Sequence, residues 1–228
     1  GFRTGADFAE GRTSGSCDDE GCTVVDAYET VDGCPIKPSA VCPGADLSDL
    51  DAPSAPLYGA DLSGADLSDA ELVSAILITA DLRDTDLSGA DLSSADLTLA
   101  RFTGATFTDT EMPNASVRRA DLSGADLSVV DLKGATMTNS DLSWAPLTTA
   151  DLAGVDLANA ILVGADLSGA NLSGADLSNA VLAGANLTGT NLSGAVLTNA
   201  TLVGATIDGA DLTGAELTNT MGLPGSGG

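Results

Sequence analysis

The stretch ADLSGADLSD at residues 60–69 holds two copies of a five-residue unit, and the same unit continues in phase over most of the chain. The first residue of each unit is small, and the second is usually an acid or amide. The third, which we call the centre residue, is most often Leu. The fourth is usually Ser or Thr, and the fifth, which we call the corner residue, is often Gly or Asn. Counting outward from Leu62 in steps of five places centre residues from Cys42 to Leu217, so residues 40–219 hold 36 units without insertion or deletion. Such a short, fixed period indicates a repeat architecture.

A period of five fits neither an ordinary α-helix nor a flat strand. On a helix, successive centre residues would be rotated by about 140° and would form no single apolar face. In a strand, where side chains alternate with a period of two, the centre residues would alternate between faces. The pattern instead fits a chain that buries the small residue and the Leu, exposes the acid between them, and turns a corner at the last two residues. Gly and Asn tolerate the backbone conformations that such corners require.

These units, such as ADLSG at residues 60–64 and ANLSG at residues 170–174, resemble the A(D/N)LXX signature of the pentapeptide-repeat family over 180 of the 228 residues. The resemblance implies an all-β fold, a right-handed quadrilateral β-helix with the leucines inside and four units per coil. The block would then form about nine coils and, at a strand spacing of about 4.8 Å, a rod about 43 Å long.

The chain outside the repeats divides into an N-terminal cap of residues 1–39, which is expected to be rich in loops, and a Gly-rich tail of residues 220–228. The four cysteines of the chain are Cys17, Cys22, Cys34 and Cys42. Their confinement to one short segment favours two disulfides over catalytic thiols. Three connectivities are possible, and we prefer the local pairs Cys17 with Cys22 and Cys34 with Cys42. Free buried cysteines and a zinc site are alternatives, although the spacings C-x4-C and C-x7-C fit common zinc patterns poorly.

Disulfides are typical of oxidising compartments, and the chain has no stretch of about 18 apolar residues that could span a membrane. We therefore expect a secreted, extracellular or cell-surface protein whose signal peptide has been removed. Membrane insertion is not expected.

The chain is strongly acidic, with 33 Asp and Glu residues against eight Lys and Arg and a net charge of −25. Because residues twenty apart should stack on one side of the solenoid, one acidic column is expected. Its members are Asp51, Glu71, Asp91, Glu111, Asp131, Asp151, Asn171, Asn191 and Asp211. Stacked carboxylates repel one another, so this column should be sensitive to salt or should recruit cations or a basic partner.

Three interpretations of the acidity remain open. The first is a solvated surface that the repeat imposes. The second is mimicry of nucleic acid, as in some members of the resembled family that protect bacterial type II topoisomerases such as gyrase. The repeat block holds 25 acids and five bases, which over about 43 Å gives about one charge per 2 Å, close to the roughly 1.7 Å of duplex DNA. The third is a ladder of Ca²⁺ ions on the acidic column, although no EF-hand loop is present.

The residues contain no sign of enzyme chemistry. There is no histidine, no nucleophile elbow and no phosphate-binding glycine loop. A rod filled with side chains also has no pocket in which a carboxylate could be desolvated. We predict a non-enzymatic protein with no cofactor and no nucleic-acid partner.

The ends of the solenoid favour self-assembly. An uncovered coil presents unpaired backbone groups to another chain. Pro53 and Pro56 protect the N-terminal side, whereas no capping helix is predicted at the C-terminal side. We therefore predict head-to-tail assembly into a filament or surface layer, with binding to a type II topoisomerase as the alternative. The candidate contact residues are Phe2, Phe8, Ile161, Val163, Val181, Val203, Met221 and Leu223.

Overall fold

The structure, a computed structural model, describes the backbone of residues 13–18, 21–26 and 30–223 and the side chains of residues 30–223. Two antiparallel hairpins precede the repeats. β1 (Thr13–Asp18) pairs with β2 (Gly21–Asp26), and β3 (Thr30–Val31) pairs with β4 (Cys34–Pro35). Within the segment that the sequence predicts to be a loop-rich cap, the described residues thus contain two short hairpins. The run of Thr and Val in β2 gives a physical reason, because β-branched residues favour strands.

The repeat block is a right-handed quadrilateral β-helix, as predicted. The residue before each centre forms a parallel bridge with the residue twenty positions later, from Val41 with Asp61 to Thr201 with Met221. In a typical step the N–H of Leu62 donates to the carbonyl of Asp81 at 2.9 Å, and the N–H of Asp81 donates to the carbonyl of Ala60 at 2.8 Å. Four units therefore complete one coil, and each coil is hydrogen-bonded to the next.

Each corner is a four-residue turn. At a representative corner the N–H of Ala65 donates to the carbonyl of Leu62 at 3.0 Å, and the third residue of the turn, Gly64, has a φ of 68°. A positive φ at this position is the requirement of a type II turn, which explains the preference for Gly and Asn. Asp, Ser and Thr also occupy corners with positive φ, for example Asp69 at 57°.

The core is the interior of the tube. The centre leucines from Leu47 to Leu202 are almost completely buried, together with most of the small residues two positions before them. Thr and Ser at those inner positions use their hydroxyls within the core, as Thr110 does when its Oγ1 donates to the carbonyl of Leu87 at 2.8 Å. Among residues 30–223, no buried side-chain nitrogen or oxygen lacks a hydrogen-bond partner. Stacking of coils therefore satisfies both the apolar and the polar groups of the interior.

One local break interrupts the regular ladder. Three of the expected bridges are missing from residues 41–221, and they are those of Thr106 with Asp126, Asp126 with Pro146 and Asp131 with Asp151. Val129 lies beside all three and is the single corner residue between positions 44 and 219 without a positive φ.

The part of the chain that the structure describes contains no helix that is long and apolar enough to cross a membrane.

Candidate interaction surfaces

The outward-facing acids form a local hydrogen-bond motif with the residue two positions later. Oδ1 of Asp61 accepts bonds from the N–H of Ser63 at 3.1 Å and from its Oγ at 2.7 Å. The same arrangement joins Asp66 to Ser68 at 3.0 and 2.6 Å. Asn replaces Asp without loss of the motif, since Oδ1 of Asn186 accepts from the N–H of Thr188 at 3.1 Å. The five-residue pattern alone did not predict this pairing, although the recurrent Asp-Leu-Ser spacing is the signal of an Asx turn.

These bonds lower the pKa of several carboxyls. The pKa of Asp66 lies below its ordinary value because the Ser68 hydroxyl and then the Ser68 N–H bind the charged form. Thr213 has the same effect on the pKa of Asp211. Burial tends to raise the pKa of Asp121, but the bonds from Ser123 and Thr103 outweigh it and the net shift is downward. The carboxylates at these three positions are therefore held in their charged form.

The acidic column has the predicted register. Its members are bridged from Asp51 to Asp131 and again from Asp151 to Asp211, and the break beside Val129 separates the two runs. In the second run, from Asp151 to Asp211, Nδ2 of Asn171 donates to Asp151 at 2.8 Å, and Nδ2 of Asn191 donates to Asn171 at 3.0 Å. The two amides thus separate Asp151 from Asp211 and relieve carboxylate repulsion there.

Arginine neutralises the acid at one point of another column. The guanidinium of Arg83 donates to both oxygens of Asp81, at 2.7 Å from Nε and 2.5 Å from Nη2. Arg101, one coil later, approaches the same carboxylate at 3.5 Å. Hydrogen bonding by Arg83 is the main reason that the pKa of Asp81 is lowered. This part of the surface is consequently less anionic than its sequence of acids suggests.

The acidic column borders an open groove rather than a closed binding pocket. Asp49, Asp51, Asp69 and Glu71 line it. Within residues 30–223, no group of three or more Cys, Asp or Glu side chains is arranged to hold a metal ion. A calcium ladder on the column therefore stays a prediction.

The N-terminal end of the solenoid is closed by the hairpin β3–β4. A disulfide joins Cys34 of β4 to Cys42 of the first unit, with 5.4 Å between their Cα atoms, which confirms that predicted pair. Cys34 and Ile36 are buried in the same core as Leu47, which is itself fully buried. In β1 and β2 the backbone register places Cys17 opposite Cys22, and their disulfide stays a prediction because these side chains lie outside the described set.

The backbone edge of the first coil is also protected. The N–H of Asp46 points away from the second coil and donates to the carboxylate of Asp32 at 3.5 Å. At the equivalent position on another side, Pro56 has no N–H to offer. A coil that stacked on this edge would therefore find the N–H of Asp46 already bonded and no N–H at Pro56.

The C-terminal coil, residues 202–221, is open by comparison. Its centre residues Ile207, Leu212 and Leu217 are half-buried, whereas the equivalent residues of earlier coils are fully buried. Their backbone N–H groups, which in other coils donate to the next coil, have no partner among the described residues. Met221 begins a further turn, bridged to Thr201 and 55% exposed, and Leu223 packs partly buried against the core of its own chain.

A second surface is apolar and lies along one side of the last coils. We call it the apolar stripe, and it consists of Trp144, Ile161, Val163, Val181, Val203 and Met221. Ile161, Val181 and Met221 belong to one bridged column, continued through Thr201. Trp144 is a corner residue that is 70% exposed, and its indole lies over Gly164, where an added Cβ would come within 2.4 Å of the ring. The structure thus brings together four of the predicted contact residues, with Met221 at the end of the stripe, while Phe2 and Phe8 lie outside the described residues.

Comparison with known proteins places the repeats in a family. The family described as Pentapeptide repeats matches residues 40–77 and, in overlapping segments, residues 80–219. The chain is similar to HetL, a pentapeptide repeat protein involved in heterocyst differentiation regulation from the cyanobacterium Nostoc sp. strain PCC 7120. The two are 33% identical over 83% of this chain and 86% of HetL, with a TM-score of 0.45.

Two further solved structures have the same kind of repeat. A trypsin-treated form of QnrB1, a plasmid-mediated fluoroquinolone resistance protein, is 19% identical over 79% of this chain and 90% of its own, with a TM-score of 0.40. Rfr23 from the cyanobacterium Cyanothece 51142 is 33% identical over 47% of this chain and 63% of its own, with a TM-score of 0.25. Comparison with curated protein sequences finds no match.

Proposed function

The chain belongs to the pentapeptide repeat family, and on that premise we propose that it is a non-enzymatic structural protein that associates with its own copies through the C-terminal coil. The observation that carries the proposal is the contrast between the two ends. Leu47 and Leu57 in the first coil are fully buried, whereas Ile207, Leu212 and Leu217 in the last coil are half-buried with unpaired N–H groups among the described residues. A second coil of the same shape would bury these side chains and pair these groups.

The contrast also bears on the geometry of association. Head-to-tail stacking would require the N-terminal edge to accept a coil, but Asp32 and Pro56 obstruct that edge. Among the described residues the C-terminal edge has no counterpart of Asp32 or Pro56, although Met221 and Leu223 cover part of one side. Pairing of two such edges would form a closed, isologous dimer. We therefore favour the dimer, while a filament or surface layer stays the prediction from sequence alone.

The proposed function includes a location in an oxidising compartment. The Cys34–Cys42 disulfide fixes the hairpin that closes the N-terminal end, and such bonds persist mainly outside the reducing cytosol. We propose a secreted or cell-surface location on this ground. Measurement of free thiols in protein isolated from its source, before and after reduction, tests it, and more than two free thiols before reduction would contradict it, because the Cys34–Cys42 bond would then be absent.

Sedimentation of the purified protein tests the association. We expect a dimer that does not grow further with concentration, and we expect the L212K variant to be monomeric because its ammonium group would face the partner coil. The matched control is T188K, which adds the same charge at an exposed side position of the preceding coil, where Lys133 shows that the repeat accepts lysine. A wild-type protein that stays monomeric at high concentration would refute the proposal, and open-ended growth would favour the filament.

The alternative of an acidic nucleic-acid mimic that binds a type II topoisomerase stays a prediction. Its physical basis is the charge of the repeat block, and its test is inhibition of DNA supercoiling by gyrase. If the protein inhibits gyrase and does not self-associate, topoisomerase binding becomes the favoured function and self-association the alternative.

A further inference from the structure

On one side of the solenoid, outward positions that hold charged residues in the earlier coils hold apolar residues in the C-terminal half, and these form the apolar stripe. In the column that contains Ile161 and Val181, the preceding coils carry Asp121 and Asp141 at the bridge position. Beyond Asp141 the column is uncharged, and Val203 and Met221 at its far end are 57% and 55% exposed. Exposed apolar patches of this kind mark contacts with other molecules.

The stripe is long enough to hold a short segment of secondary structure. It extends from the coil of Trp144 to the turn of Met221, four coil steps or about 19 Å, the length of an α-helix of about 13 residues. The corner beside Val203 is Gly204, which has no side chain, whereas Gly164 beside Val163 is covered by the indole of Trp144. Trp144 projects at the N-terminal end of the stripe and is well placed to contact an occupant.

The charges around the stripe are all negative. Asp141 is bridged directly to Ile161, and Asp166 and Asp176 lie on the two adjoining sides of the same coil. The last basic residue of the chain is Lys133, and residues 134–228 contain eight acids and no Lys or Arg. The acidic rim of the stripe thus consists of Asp141, Asp166 and Asp176, and one coil further on the adjoining positions hold the uncharged Asn186 and Val196.

We propose that the apolar stripe docks a short amphipathic segment of another protein, with Lys or Arg residues on both sides of its apolar face. Such a segment buries its apolar side chains on the stripe and places its cations against the acidic rim. A second copy of this chain would place acids against acids with no base in this region, and an anionic membrane surface would be repelled in the same way. This surface lies on the side of the solenoid, so the inference goes beyond the proposed association through the C-terminal end.

A synthetic 14-residue peptide of Leu and Lys, patterned as an amphipathic helix, tests the proposal. Trp144 is the only tryptophan of the chain, so its fluorescence reports binding at the stripe itself. We expect a saturable blue shift with the patterned peptide. We expect none with a scrambled peptide of equal composition, and none when Glu replaces Lys.

Two pairs of variants separate the stripe from general attraction to an acidic protein. V163D should weaken binding of the patterned peptide about ten-fold or more, whereas V73D, at the equivalent position on a different side, should leave it unchanged. V163S should weaken it several-fold while V73S does not, and Ser is the common residue at this position, so the Ser variants should fold normally.

Three outcomes would overturn the proposal. The first is equal binding of the scrambled peptide, and the second is equal loss of affinity in V163D and V73D, since both indicate charge attraction alone. The third is a self-associated wild-type protein that V163D makes monomeric while the peptide fails to bind, which would assign the stripe to a second copy. Loss of association in L212K together with retained peptide binding would show that the end and the stripe act separately.

Discussion

At the scale of single residues, the Asp before each centre does more than keep the surface soluble. Oδ1 of Asp66 accepts two hydrogen bonds from Ser68, and Asn171 accepts the equivalent N–H bond from Ser173 at 3.2 Å. An acid and an amide therefore perform the same local task, which is to fix the chain as it approaches the corner. The alternation of Asp and Asn along the repeats then changes the charge of the surface without changing the turn.

This equivalence predicts opposite results for two substitutions at Asp66. D66A should lower the free energy of unfolding by about 0.5–1 kcal/mol, because it removes the acceptor of both bonds. D66N should be nearly neutral at pH 7, since the amide oxygen still accepts them and repulsion from the bridged Asp46 and Asp86 is relieved. Urea unfolding measures both, and equal destabilisation by the two variants would contradict the motif.

The lowered pKa of Asp66 also predicts how its contribution depends on pH. Because the folded-state pKa lies below the unfolded value, the contribution is complete above the unfolded value of about 3.9 and is lost as the pH falls through the folded-state pKa. The wild type should therefore lose more stability than D66N when the pH falls below about 4. Urea midpoints of both proteins measured between pH 2.5 and pH 7, values chosen to bracket roughly the carboxyl range, provide the test, and parallel curves would count against it.

At the scale of structural elements, one corner divides the solenoid. Val129 does not adopt the positive φ of the other corners, and the bridges nearest to it are missing among the described residues. A β-branched side chain disfavours the left-handed conformation, although Thr79 and Thr149 adopt it at other corners. Pro146, in the next coil, removes a further donor from the same part of the ladder. The consequence is a plane of contact between coils that is weakened on the sides of Asp126 and Asp131, while the bridges of Ser116 with Thr136 and of Asp121 with Asp141 remain.

V129N should repair this plane. Asn occupies corners with positive φ at Asn139 and Asn159, so we expect a gain of about 0.5–1 kcal/mol in unfolding free energy as the corner adopts the left-handed turn and the missing ladder bonds form. Hydrogen exchange at the N–H of Leu132 should slow as that group gains its bond to the next coil. The matched control is V203N, which changes a similarly exposed Val that precedes the corner residue Gly204 and should leave exchange at Leu132 unaltered. Unchanged exchange in V129N would mean that Val129 is not the cause of the break.

At the scale of the whole molecule, the net charge of −25 opposes the stacking that holds the coils together. Bridged neighbours such as Asp91 and Glu111 are carboxylates one strand spacing apart, while the ion pairs of Asp81 with Arg83 and Arg101 offset this repulsion at one point of the surface. The anionic surface therefore costs stability that the buried leucines must exceed.

Salt should consequently stabilise the protein. The screening length falls from about 30 Å at 0.01 M to about 3 Å at 1 M ionic strength, so the urea midpoint should rise steadily over this range of NaCl. CaCl₂ at matched ionic strength should give the same midpoint if screening alone acts. A larger rise at millimolar Ca²⁺ would instead support specific ions on the acidic column.

The sequence by itself determined the coil and its register, because every unit repeats the same local instructions. A buried Leu, an outward Asp or Asn and a corner residue that tolerates positive φ recur every five residues, so the acidic column and the members of the apolar stripe follow from counting in steps of twenty. Only the tertiary structure decided what happens where the repetition ends or fails. Asp32 closes the edge at Asp46, Cys34 is joined to Cys42, the ladder breaks beside Val129 and Leu212 is left half-buried. These features depend on contacts between non-equivalent segments, and a periodic pattern carries no information about a partner that lies outside the period.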